Sequence, residues 1–313
     1  MERTEYIGGP AIVKIGTKLI YTKEDITVTP EINYTQNETT FHGKTSKHLD
    51  TVQHTITVAP AAMVTADLLA LLFGDYANLQ VGSRLYGSSP NDIVIWTKAG
   101  KEHTYEIGAL TSFCGLAFSP TMPLFDGSAT FTAIGDCNET IDTAGHFAKY
   151  ADVVFNDASY DDSKEFQLVY DASWGAAPFD AIETEAGFKI AFSLELEDKI
   201  NNSNGIYEKI VTGFGVTANF TPIGITESDI LTARGIQGAG AGRGKKTPTN
   251  DLILTTSIEG DPYFKLFNCA IMASPSTHGK TANNMGEVQL EAQRTFSAGV
   301  VQPLFEIGLT PAA

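Results

Sequence analysis

Apolar and polar residues alternate with a period of two along most of the chain. The segments Ala11 to Tyr21, Thr51 to Ala59, Asp92 to Thr97, Gly127 to Ile134, Phe188 to Leu196 and Val216 to Thr221 all show it, and they are rich in Val, Ile, Thr and Phe. Successive side chains of a strand project to opposite faces, so this pattern predicts half-buried strands and a mainly β fold. Helix-period segments are few. Pro60 is followed by the run Thr65 to Phe73, and Pro222 by the run Thr226 to Arg234. In each, a Thr stands where its hydroxyl can cap free backbone N–H groups, and an acid in the first turn meets the positive end of the helix dipole. Thr226 and Asp229 also have capping-box spacing. A third short helix is expected from Ala144 to Val154, with Phe147, Tyr150, Ala151 and Val154 on one face.

The likeness of the two capped helices extends to an internal repeat. A shift of 162 residues lays His54 to Pro60 on Val216 to Pro222, and Asp67-Leu68-Leu69 on Asp229-Ile230-Leu231. A shift of 159 lays Asn91 to Thr97 on Asn250 to Thr256, and Gly127 to Ala133 on Gly286 to Ala292. Strand, Pro, capped helix, strand and strand recur in one order, as a duplicated unit requires. The segments around Cys114 and Cys269 do not align securely. The expected organisation is a first β domain over 1–140, a linker with the short helix over 141–165, and a second β domain over 166–313.

Composition narrows the function classes. The 313 residues are 42% apolar, enough for a substantial core. Against 37 acids stand 21 Lys and Arg, for a net charge of −16. Residues 1–155 carry −7 of it and 156–313 carry −9, so acidity belongs to the repeated unit. Such a surface is a poor holder of nucleic acid, because phosphate binding needs clustered cations. Three widely spaced cysteines offer neither a disulfide framework nor a zinc pattern. No stretch has the length and apolarity of a membrane span, and MERTEYIGGP lacks the apolar segment of a signal peptide. A soluble chain made in a reducing cytoplasm is expected.

Candidate chemistry is sparse. The run Gly238 to Thr247 has Ala239 and Lys246 where a phosphate-binding loop needs Gly and Ser or Thr, so it reads as an exposed linker. His42, His48 and His54 recur every six residues but bring no acid or cysteine with them, and read as surface histidines. Asp157, Asp161, Asp162 and Glu165 lack calcium-loop spacing and read as solvated linker acids. Trp96 and Trp174 read as core aromatics. No nucleophile elbow, zincin motif or Cys-His pairing is present. No catalytic residue, metal site or cofactor is assigned.

The order and spacing of these segments resemble the tail tube (major tail) proteins of long-tailed bacteriophages. The likeness lies in Gly9 to Ile32, the polar segment with His42-Gly43-Lys44, and Arg84 to Leu110; in the second half it lies in Tyr170 to Leu196, Asn204-Gly205 and Val216 to Leu231. It covers nearly the whole chain. The resemblance implies tandem tube-like β-sandwich or barrel domains, each flanked by a helix. It also implies a virion component, assembled in the bacterial host, whose domains form six-unit rings stacked into a hollow tube for double-stranded DNA. With the duplication, three chains would complete a ring. Implied partners are further copies of the chain, other tail proteins and passing DNA, with no membrane insertion. Two polar segments, Asn33 to Asp50 and Asp198 to Glu208, are long for hairpin loops and are expected to contact the adjacent ring. Gln36, His42, Gly43, Lys44, Lys47, Asn201, Asn202, Asn204, Gly205 and Glu208 are their candidate contact residues. A pair of β-sandwich binding or adhesin modules, or a hydrolase on a β scaffold, are the alternatives.

Overall fold

The computed structural model describes residues 5–7, 11–22, 24–39, 43–61, 65–87, 91–150, 170–201, 205–238, 242–256, 258–273, 276–278, 283–297 and 300–311. They form a mainly β protein of two tandem units. The first half contributes β1 (Glu5–Ile7), β2 (Ala11–Ile15), β3 (Lys18–Tyr21), β4 (Ile26–Thr39), β5 (Gly43–Val58), β6 (Asn91–Thr97), β7 (Lys101–Ser112), β8 (Gly115–Phe118), β9 (Phe125–Asp126), β10 (Ala129–Ala133) and β11 (Cys137–Ile141). The second half contributes β12 (Asp171–Trp174), β13 (Glu183–Asn201), β14 (Gly205–Ile223), β15 (Asn250–Thr255), β16 (Pro262–Ala273), β17 (Ser276–His278), β18 (Asn283–Met285), β19 (Val288–Glu291), β20 (Phe296–Ser297), β21 (Val300–Val301) and β22 (Phe305–Leu309). Helix α1 (Ala66–Leu72) follows β5 and α2 (Glu227–Ala233) follows β14.

Two large antiparallel sheets result. One runs β1-β4-β5-β10-β7-β6-β2-β3, with β11 also on β7; the other runs β12-β15-β16-β19-β14-β13-β8-β9, with β22 also on β16. The internal repeat reappears as register. Val28 faces Ile56 and Ile190 faces Ala218, each residue displaced by 162. Bulges fall after Asn33 and Asn37 in β4, and after their counterparts Glu195 and Lys199 in β13. Phe131 faces Leu110 as Leu290 faces Ile271, again beside a shared bulge. Register is set by many side chains along both strands, so agreement through successive bulges marks two copies of one unit. In β7 and β16 the displacement is 161, which pairs Cys269 with Gly108 as counterparts and leaves Cys114 outside the equivalence.

Local chemistry accounts for the elements. The segment expected as one strand from Ala11 to Tyr21 is a hairpin, because Gly16 adopts φ 59° and reverses the chain. A Cβ there would lie 2.8 Å from Asn91 Oδ1, and Gly175, its counterpart at φ 83°, is crowded in the same way by Asn250. Only glycine meets both demands cheaply. The Thr65 hydroxyl accepts from Leu68 N at 3.1 Å, and Thr226 with Asp229 completes a reciprocal capping box. The third helix, expected from Ala144, is helical over 146–150, two residues later; 151–154 lie outside the described residues, as do Asp157, Asp161, Asp162 and Glu165.

The helices differ in what they bury. In α1, Leu68, Leu69, Leu71 and Leu72 are all buried, each contributing about 2 kcal/mol relative to exposure. In α2 only Ile230 is. A continuous apolar core extends through both halves, with Phe73, Phe118, Phe131, Phe188, Phe264 and Phe305 among its largest members. Among the described residues, no helix is long and apolar enough to cross a membrane.

Candidate assembly surface

The contact between the two halves is built from three pieces of the first unit. The hairpin β8–β9, encoded within the first half, joins the sheet of the second: Leu116, Ala117 and Phe118 pair with Ile190, Lys189 and Phe188. Close approach requires Gly187, at φ 87°, where a Cβ would come within 2.1 Å of the Phe118 carbonyl oxygen. Second, the turn at 82–86 pairs with β14: Leu85 N donates to Lys209 O and Val211 N to Ser83 O, both at 2.9 Å. Third, α1 and the turn after it cover β22. The Phe73 ring lies 4.9 Å from Phe192, and Phe192 lies 5.2 Å from both Phe113 and Phe305.

Glu208 anchors the second piece. The residue is 2% exposed, and its carboxylate accepts from Tyr86 N at 2.9 Å and pairs with Arg84 Nε at 3.0 Å. Burial of a carboxylate is tolerated only with such partners. Burial, followed by the nearby Asp198 and Glu208 carboxylates, pushes the Tyr86 hydroxyl far above its usual range, and it donates to Thr132 O at 3.1 Å. Arg294 of the second half also donates to Leu79 O of the first.

The segments expected as contact loops are mostly strand. Residues 33–39 and 43–50 extend β4 and β5 into a long two-stranded arm, and 198–201 with 205–208 do the same for β13 and β14. Gln36, exposed, stands opposite Lys47; Gly43 stands opposite Thr39, and Lys44, exposed, opposite Glu38. Asn201, exposed, faces Gly205, which is buried at φ 65°. His42, Asn202 and Asn204 lie outside the described residues. The expected sites thus gather at two arm tips, except Glu208, which is committed to the contact between halves. Sequence reads α1 as a capped helix but gives no sign that it, Arg84 or Gly187 joins the halves. The repeat shows that the halves are alike; it does not show what joins them.

Residues with other chemical potential are mostly structural. His54, expected at the surface, is 8% exposed and its ring lies 5.3 Å from Tyr105. Trp96 is buried, donates to Glu102 at 2.7 Å and stacks on His146 at 4.6 Å; Trp174 is buried and donates to Cys269 O at 3.0 Å. The glycine run follows α2 and precedes β15, the reverse of the strand-to-helix order of a phosphate loop. Glu102, Asp142 and His146 bring three potential metal ligands together. Asp142, however, accepts from His146 N and Phe147 N, both at 3.0 Å, and so caps the helical turn. Burial raises its carboxyl, but these bonds and the His146 ring outweigh it and hold it below the usual range.

No protein-family model matches the chain, and no curated protein is significantly similar to it.

Proposed function

We propose that this protein is a structural subunit of a bacteriophage tail tube, in which three chains form a ring of six like β units and rings stack around a channel for double-stranded DNA. The observation that carries the reading is the repeated register: one chain presents the same β unit twice, with the same bulges in the long paired strands. Sheet edges must be paired or guarded, and closing a ring pairs them without leaving an open end. The long arms β4–β5 and β13–β14 are equivalent in the two units, as ring-to-ring contacts repeated around an axis require. Their tips are where stacking rings are proposed to touch.

Charge supports a conduit. Duplex DNA carries one negative charge per roughly 1.7 Å of its axis. A basic channel would bind it at every ring. Three chains of −16 each favour repulsion and passage instead.

Negative-stain microscopy and native mass measurement of the purified chain test the reading. Uniform hollow rings or tubes with three chains per ring are expected. Six chains per ring would overturn the trimer, and compact monomers at high concentration would overturn the tube in favour of a β-sandwich binding module.

A further inference from the structure

The repeat gives two of the contacts between halves a counterpart that does not make the same contact within the chain. Hairpin β17–β18 is the counterpart of β8–β9, with matching internal register: Leu116 faces Phe125 as Thr277 faces Asn284, and Gly115 faces Asp126 as Ser276 faces Met285. Yet β8–β9 belongs to a large sheet, whereas β17–β18 is a separate two-stranded sheet. The strand that β8 covers is β13, at Phe188, Lys189 and Ile190. The counterparts of those residues in β4 are Ile26, Thr27 and Val28. Those same three residues are covered by β1, also antiparallel, with Ile7, Tyr6 and Glu5 opposite them.

Burial of the helices points the same way. Helix α1 is buried between β3 of its own half and β22 of the other. Its counterpart α2 buries only Ile230, and β11, the counterpart of β22 on the equivalent edge, is exposed along its whole length. In β11, Ile141 is 75% exposed. Leu71, Leu72 and Phe73 of the first unit correspond to Ala233, Arg234 and Gly235 in the second. The outward version of the contact is therefore smaller and more polar, so a free chain is not forced to expose a large apolar face.

We propose that this chain joins a second copy of itself head to tail by strand exchange, with β17 of one chain replacing β1 on β4 of the next and α2 settling on its β11. β1 is then a placeholder. It blocks a sheet edge that would otherwise invite uncontrolled pairing, and it is short enough to be displaced by a hairpin that arrives with a helix. The contact is heterologous, so repeating it yields a closed ring or an open filament according to the rotation between halves. The exchange specifies the ring contact proposed above and rests on that reading only for closure.

Paired cysteines test the exchange in full-length chains carrying Cys137→Ser, which removes the exposed native thiol. Thr27→Cys with Tyr6→Cys locks β1 in place when oxidised. Thr27→Cys with His278→Cys reports β17 on the neighbour. The expected results are loss of rings when the first chain is oxidised, their return on reduction, and covalent dimers and trimers of the second chain on non-reducing gels. Rings that form with β1 locked, or rings without a Thr27–His278 cross-link, overturn the exchange and leave the tube reading standing. Chains that stay monomeric even with the lock reduced overturn the tube reading and the exchange with it.

Discussion

The backbone N–H of Asn268 donates to Asp251 Oδ1 at 2.9 Å, and at the equivalent place in the first unit the N–H of Ile107 donates to Asp92 Oδ1 at 3.3 Å. Both amides belong to residues with positive φ, 48° at Asn268 and 59° at Ile107. The same bulge, held by the same aspartate, was thus inherited by both copies, but only one carries a residue suited to it. Asn tolerates the left-handed region, whereas a β-branched Ile is strained there by about 1–2 kcal/mol. Ile107→Asn is therefore expected to stabilise the protein by about 1 kcal/mol in denaturant unfolding, and Asp251→Ala to destabilise it by a similar amount. Unchanged midpoints for both would show that the bulge stores no strain.

Gly187 provides a second test, at the contact between halves. Gly187→Val combines the wrong φ with a collision against the Phe118 carbonyl, and is expected to cost about 3 kcal/mol and to detach β8 from β13. Gly127→Ala serves as the control. Its φ is 81°, but nothing lies within 4 Å of a Cβ, so only the backbone cost of about 1 kcal/mol is expected. Hydrogen exchange at Leu116 to Phe118 should accelerate in the first variant alone.

Removing the Glu208 carboxylate leaves Tyr86 N buried without its acceptor. Arg84 is largely exposed, so its ion pair with Glu208 is partly screened and the orphaned amide dominates. Glu208→Ala is expected to cost about 2 kcal/mol. Limited proteolysis near 82–86 should quicken in parallel.

Acid should weaken α2 through Asp229. Hydrogen bonds from the Thr226 hydroxyl and the Thr226 N–H hold its carboxyl below the ordinary value of 3.8. A depressed folded value contributes stability above the unfolded value, and that contribution disappears as pH falls through the folded one. Asp229→Asn is thus expected to destabilise at pH 7 and to converge on the parent below pH 3.8, when unfolding is measured across that range. Thr226→Ala should cost about 1 kcal/mol at neutral pH.

Thiol labelling should count one fast cysteine per native chain. Cys137 is exposed on β11, while Cys114 and Cys269 are buried. Burial pushes the Cys269 thiol up to about 12, so it holds its proton and is a poor nucleophile at ordinary pH. In denaturant all three cysteines should label; three fast thiols in the native protein would contradict the packing.

Sequence alone determined the β class, both helix caps and the duplication, because these depend on neighbours a few residues apart and on comparison of the chain with itself. The alternation at Phe188 to Leu196, the hydroxyls of Thr65 and Thr226, and the constant shifts are all local or self-referential. The arms over 33–39 with 43–50, and 198–201 with 205–208, read as loops because their residues are mostly polar, which hides the alternation that reveals a strand even where Ile206 and Glu208 are buried. Glu208 looked like a loop acid for the same reason. Only the tertiary structure decided that β8–β9 would leave its own half, that β1 would hold the matching edge, and that α1 would be buried while α2 is not. A strand's partner is chosen by long-range pairing of backbone groups that every residue carries alike, so no local pattern names it.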